Sequence, residues 1–506
     1  MTETKTPKAT PAPPAGPYAN VAFCGIWERT DTWFGACEEL RKAGVKVFHI
    51  LTAQEYVDKA YALGYTHDQV LYLRKDEALA APFSEEDFDL ACEFERRSAS
   101  KIKHYLAMER FLRAEPWGVS QKYILYIFRK ILDFVEKNDI QLVSGEPSTM
   151  HDLVALLICH ATGRHYSAPF DIRFPIQRFV MWEGEGDVVP IITGAKTPED
   201  VEPEFIEMAK EIRERVLNKE KMKYVANRTS APSIGLPYIK RVVRGVISRA
   251  TTAKRDANIY TLPLMFTHHK YHMIPINYRL NKLQWNSLFD QPVEGERFVL
   301  YTLNYTPEHS VDVLAPYFTD AYEVIKNIAR GLPLDVKLYV KEHPNALGIR
   351  GPKYLKALKG IPGVKLIDPY INSHDLLNKA EITVSLSGTI SLEAALYGKK
   401  TVILSDIFIH RFSTCLFTEE PWTIGAMIDM EWPEVDVDND IRQMAWFLSN
   451  TFEGTVVDRI TSPEGVAPEN LKKVAFGFFT LLRAIADGKV VPKQVPGSTA
   501  PIGSAP

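Results

Sequence analysis

Apolar positions along the chain fall into two series of short, continuous runs, each followed by a longer stretch of helical period. The first series opens with VAFCGI (21–26). A helical pattern at 31–43 follows and stops at Gly44, and VKVFHI (45–50) forms the second run. Continuous apolar runs of this length suit strands buried on both faces, so the unit reads as βαβ. Helical patterns follow at 85–113 and 120–137. A strand is expected at 140–145, and then an apolar helix, MHDLVALLICHATG, closes at Gly163. Between 203 and 291 the sequence is charged and helical without strand alternation. From Arg297 the rhythm returns. Strands are expected at 298–303, 336–340, 364–367, 382–386 and 401–404, with helices at 314–330, 353–359, 373–379 and 390–397. Strands alternating with helices imply parallel sheets covered on both faces. The expectation is α/β: two Rossmann-like units facing across a cleft, with a helical insertion between them. Further helical patterns at 438–450 and 468–487 are placed with the second unit, positioned to pack back across the boundary.

The boundaries follow from composition. Residues 1–18, rich in Pro, Ala and Thr, and 488–506, of similar character, read as disordered tails. Residues 19–202 form the N-terminal unit, 203–291 the helical insertion and 292–487 the C-terminal unit. Apolar and charged fractions of 46% and 24% are those of an ordinary globular protein. A net charge of -3 over 506 residues gives no bias toward nucleic acid. Five scattered cysteines argue against a disulfide framework or a zinc site and fit a reducing, cytoplasmic compartment. No apolar run approaches the roughly 20 residues of a membrane span.

Candidate chemistry gathers where strands end, which is where open parallel sheets bind ligands. The strand at 382–386 carries Ser385 at its end and runs into Ser387, Gly388 and Thr389, at a strand-to-helix junction. A helix start presents unpaired N–H groups and partial positive charge to a phosphate. Glu393 lies one turn beyond Thr389 on the same face and is placed to accept ribose hydroxyls. Helix capping alone explains one of these hydroxyls but neither the run of small residues nor the in-phase acid. After the strand at 336–340, Lys341, Glu342 and His343 precede Pro344, which biases His343 toward an extended conformation aimed at the cleft. A third strand end carries NYTPEHS, with Asn304, Thr306 and Glu308. In the first unit, GEPSTMHD offers Glu146, His151 or Asp152 as a general base, with N-capping by Ser148 or Thr149 as the bland alternative. GIWERTD offers Glu28 and Asp31. THHKYH (His268, His269, His272) lacks the acid or cysteine that a metal site needs. The basic stretch YIKRVVRGVISRATTAKR reads as a solvated helix face or as a surface docking on an anionic membrane. Walker and strand-GxGxxG-helix fingerprints are absent, so NTP hydrolysis and nicotinamide redox chemistry are not expected.

With these residues laid out, YVKEHP, LIDPYINSHDLL and SLSGTISLEAALYGKKTVIL give 297–406 the look of the C-terminal domain of GT-B glycosyltransferases. The chain most resembles the bacterial capsule and surface polysaccharide group that includes the capsule Kdo transferases. The resemblance implies a metal-independent glycosyltransferase with no cofactor, its nucleotide-sugar donor being a substrate. It implies a donor held by the C-terminal unit (Lys341, Glu308, Ser385, Ser387, Gly388, Thr389, Glu393) and a polysaccharide or glycolipid acceptor held by the N-terminal unit. His343 would match the histidine that contacts the donor phosphate, with Glu146 or Asp152 acting opposite. Kdo transferases carry a Gln-Pro motif. Here Thr306-Pro307-Glu308 stands in its place, which keeps CMP-Kdo and a UDP-hexose open as donors. A peripheral association with the cytoplasmic face of the inner membrane fits such an acceptor. Sugar-nucleotide 2-epimerases share this architecture, and a non-catalytic nucleotide-sugar-binding scaffold is the alternative outside the enzymes.

Overall fold

The computed structural model describes residues 17–172, 174, 177–184, 189–219, 234–268 and 270–492. Nearly all of both expected tails, His269 and residues 220–233 of the helical region lie outside the described residues.

Among the described residues, thirteen strands form two sheets. The first holds β1 (Val21–Cys24), β2 (Val47–Leu51), β3 (Val70–Tyr72), β4 (Leu142–Ser144), β5 (His165–Ile172) and β6 (Arg178–Trp182). The second holds β7 (Arg297–Thr302), β8 (Val336–Lys341), β9 (Val364–Ile367), β10 (Ile382–Ser385), β11 (Thr401–Ile403) and β12 (Cys415–Phe417). β13 (Thr451–Glu453) returns to the first sheet. The strand orders are β13-β6-β5-β4-β1-β2-β3 and β12-β11-β10-β7-β8-β9. The second sheet is parallel throughout. The first is parallel from β3 to β5, and its far edge turns antiparallel at β6 and β13. These are two Rossmann-like units, as the resemblance implies.

Period two sorts the strand residues onto two covered faces. In the first sheet, Ala22, Cys24, Phe48 and Ile50 pack under the helices Trp117–Lys137 and Met150–Thr162. Val21, Phe23, Val47 and Leu51 face the opposite layer, where Phe23 meets Trp33 and Phe478 with ring centroids 5.8 and 4.8 Å away. The first face runs without a break into the second unit, taking in Leu392, Leu396, Phe408 and Phe447.

Three features depart from the sequence reading. The final helix, Pro468–Ala486, and β13 belong to the first unit, because Val474, Phe478 and Leu482 share a buried cluster with Phe23 and Trp33. The C-terminal unit therefore does not extend to residue 487. The helical region 203–291 is not a single insertion. Pro203–Leu217 packs against Val437–Ser449 and Thr389–Leu396, whereas Trp285 and Leu288 join the core of the second unit. The expected helix at 85–113 breaks into Glu85–Arg96 and Ile102–Met108, with Ser98 and Ser100 between them. Serine hydroxyls compete for backbone bonds and favour such breaks.

Candidate functional site

In the second sheet the chain steps from β7 to β8 to β9, then crosses to place β10 on the other side of β7. Such a switch point opens a crevice beyond the carboxyl ends of the two strands. Two loops meet there. The Ser387 hydroxyl donates to the Ser310 carbonyl at 2.7 Å, tying the loop after β10 to the one after β7. Buried Ser385 accepts the Gly388 N–H at 2.8 Å, so its hydroxyl shapes the turn from below. Gly388 is the N-cap of the helix Thr389–Leu396, and a Cβ there would come within 2.8 Å of the Ser385 hydroxyl. The helix start and Thr389 are thus presented at the crevice.

Glu393 points from the second turn of that helix toward His374, in the first turn of the helix Ser373–Lys379. The two side chains are 3.4 Å apart. Burial pushes the Glu393 carboxyl up to about 7.

The loop after β8 is fixed by charge. Glu342 receives two hydrogen bonds from Arg350, at 2.8 and 2.9 Å, and accepts the His343 N–H at 2.9 Å. Arg350 also donates to the Asn304 carbonyl at 2.8 Å, which links this loop to the end of β7. Glu342 therefore builds the loop, and His343 is its exposed member. Lys341 is buried and donates to the Pro369 carbonyl at 2.9 Å. Burial lowers its ammonium to about 8, with Glu342 and Asp368 opposing. Lys341 reads here as a tie between loops. Glu308 stands at the N-cap position of the short helix His309–Asp312, and its carboxylate accepts from the Ser310 hydroxyl at 2.8 Å.

The first sheet has its own switch point, between β1 and β4. Arg29 follows β1 and Glu146 follows β4, and they pair at 2.6 Å. The second unit meets them here. His309 Nδ1 lies 3.8 Å from Glu146, and its ring packs 5.3 Å from Phe170 and 6.2 Å from Trp182. Arg29, Glu146, Phe170, Trp182 and His309 line a cavity of about 30 Å³. Burial pushes the Glu146 carboxyl up, but Arg29 and then His309 outweigh it and hold it well below the usual carboxylate range. Beside this contact Asp312 accepts from Arg110 at 2.7 Å and lies 3.4 Å from Arg113. The two switch points thus face each other across the boundary.

Asp152 does not reach this boundary. It is fully buried, accepting from Thr149 at 2.7 Å and Tyr166 at 3.1 Å, and burial raises its carboxyl to about 7. His151 is buried beside it, 3.1 Å from the Gly25 carbonyl. Asp31 is engaged elsewhere, by Lys59 at 2.5 Å and Arg459 at 3.0 Å. Sequence reasoning passed over Arg29 and His309, although both stand in segments it singled out. Their signal is topological: each follows the first strand of its sheet, beside the switch point.

No family model matches the chain, and no curated protein matches it in sequence. Among solved structures it is similar to the KpsC beta Kdo 2,7 transferase of Thermosulfurimonas dismutans, at 12% identity and a TM-score of 0.32, over 70% of this chain and 89% of that one. It is also similar to the UDP-GlcNAc 2-epimerase of Methanocaldococcus jannaschii, at 13% identity and 0.22, over 84% and 97%. The UDP-GlcNAc 2-epimerase of Neisseria meningitidis matches at 15% and 0.19, over 92% and 98%. Values this low leave the chemistry to be read from the chain's own residues.

Proposed function

We propose that the protein is a glycosyltransferase moving a sugar from a nucleotide-sugar donor, CMP-Kdo or a UDP-sugar, to a surface or capsular polysaccharide or a glycolipid. The observation that carries this reading is the apposition of the two switch points. A helix start and two oriented serines stand on one side, and a carboxylate–arginine pair stands on the other. The donor phosphates take the N–H groups of the helix Thr389–Leu396, where dipole and donors both favour an anion. The ribose reaches Glu393. His343, on the neighbouring loop, donates to the phosphate nearest the sugar and stabilises the charge that develops there as the glycosidic bond breaks. On the acceptor side Glu146 is the carboxylate at the boundary. Arg29 makes it a weak proton acceptor, so it gains basicity only when that pair opens. The cavity of about 30 Å³ suits a water, whereas a small-molecule site needs roughly 300–1,000 Å³.

Thermal-shift and calorimetric titration of the purified chain against CMP, UDP, GDP and their sugars identifies the donor. His343→Ala is expected to leave donor affinity within a few-fold and to lower turnover by about 10²–10³. Product from donor alone marks an epimerase, and binding without turnover in any acceptor mixture marks a scaffold. A chain that binds none of these nucleotides refutes the proposal.

A further inference from the structure

The helix Leu236–Thr252 shows two unlike faces. Its inner face is held: the Tyr238 hydroxyl donates to the His272 carbonyl, and Gly245 lies against Met265 of the neighbouring helix Leu262–Thr267. Its outer face carries Leu236, Ile239, Val243 and Ile247, each at least half exposed. Their spacing of three and four residues sets them in one stripe along the helix. Such a stripe ordinarily turns inward, yet none of the residues of this helix is buried.

Charge runs beside the stripe. Lys240, Arg241 and Arg244 are exposed, and no described residue forms an ion pair with them. From Leu236 to Arg255 there are six Lys or Arg and no Asp or Glu, in a chain whose net charge is -3. At 100° per residue, Lys240 and Arg244 flank the apolar stripe on one side, with Arg241 further round. A solvated helix has no use for the stripe, and a purely electrostatic contact would not need it. An apolar ribbon bordered by cations matches a surface with acyl chains below and anionic headgroups at its rim.

We infer that the helix Leu236–Thr252 docks this protein on an anionic lipid bilayer, lying in the plane of the interface. The stripe enters the headgroup boundary and the basic side chains meet lipid phosphates. This surface is separate from the residues that line the boundary cavity, and docking would hold the enzyme beside any lipid-linked substrate without a transmembrane segment. Among the described residues no helix is long and apolar enough to cross a membrane.

The test is co-sedimentation of the full chain with vesicles of phosphatidylcholine alone and of phosphatidylcholine mixed with phosphatidylglycerol, at low and high salt. Binding is expected on the anionic vesicles, weakening with salt. Each basic side chain contributes about fivefold in partitioning, so Lys240→Gln, Arg241→Gln and Arg244→Gln together should lower it on the order of a hundredfold. Ile239→Gln, Val243→Gln and Ile247→Gln together should abolish the part that survives high salt. Both triple variants lie on an exposed face and should keep the parent's thermal unfolding. The inference is overturned by no sedimentation with anionic vesicles at low salt, by equal binding to neutral ones, or by folded triple variants that bind like the parent.

Discussion

Replacing Glu393 by Gln should make the protein more stable and less able to bind nucleotide. Burial raises the carboxyl from its usual 4.5 to about 7. A tenfold change in proton affinity is about 1.4 kcal/mol, so ionising this group in place costs the fold about 3 kcal/mol at most. The side chain retains 15% exposure, and His374 stands 3.4 Å away. Both soften the penalty, to about 2 kcal/mol. The sign follows from the folded state binding the proton more tightly than the unfolded one. This contribution is fully present below the unfolded value near 4.5 and is lost as pH rises through about 7. Gln cannot ionise. Glu393→Gln should therefore unfold with the parent at pH 4 and above it at pH 8 to 9, in a gap that widens between about 4.5 and 7 and is constant above. Thermal unfolding across that range, with calorimetric titration of the cognate nucleotide at pH 8, measures both effects. A gap independent of pH refutes the burial argument, and unchanged nucleotide affinity refutes the ribose assignment.

Other outcomes are as specific. Arg350→Met strands the buried Glu342 carboxylate, whose two bonds to Arg350 are 2.8 and 2.9 Å long; a loss of about 3–5 kcal/mol is expected by denaturant titration. Gly388→Ala sets a methyl 2.8 Å from the Ser385 hydroxyl, so the turn must shift, and nucleotide affinity should fall by about tenfold while the loss of one hydrogen bond costs about 1 kcal/mol. Gly477→Val pushes side-chain atoms toward Phe179 and Phe452, already 2.8 and 3.0 Å from a Cβ at that position; overpacking of about 1–3 kcal/mol should appear as a lower midpoint of unfolding.

Most of the parallel strands were legible because burial on both faces leaves near-continuous apolar runs, as in VAFC and FVLY, whereas the three-residue parallel strands β3 and β12 were not. β5 was not, since Pro169 and Asp171 interrupt HYSAPFDI. Pro169 is accommodated opposite Met181, where β5 meets β6 in an antiparallel edge. β13 is three residues long and carries no pattern of its own. At the site, the loop after β10 could be read because small residues and an in-phase acid share one segment. Arg29 and His309 could not, because their meaning lies in a shared contact with Glu146, 117 and 163 positions away. Local sequence likewise could not separate Glu146, at the boundary, from Asp152, six residues on and buried beneath Tyr166.

The return of the chain to its first sheet bears on how the protein is made. β6 finds its second antiparallel neighbour only at Thr451–Glu453, and the cluster around Phe23 and Trp33 is completed only by the helix Pro468–Ala486. While the ribosome is still translating the second unit, that face of the first is covered only in part, by the helices Arg29–Lys42 and Gln54–Ala62. At about 5–20 residues per second this exposure lasts roughly tens of seconds. The second unit has no such wait, because its six strands are contiguous in sequence. A fragment ending near residue 202 would keep that face incomplete permanently and should be recovered as aggregate, whereas 285–430 carries the second sheet with the Leu288 side of its core. Dissecting the protein into soluble halves therefore requires residues 451–486 to travel with the first two hundred, as a split or permuted chain.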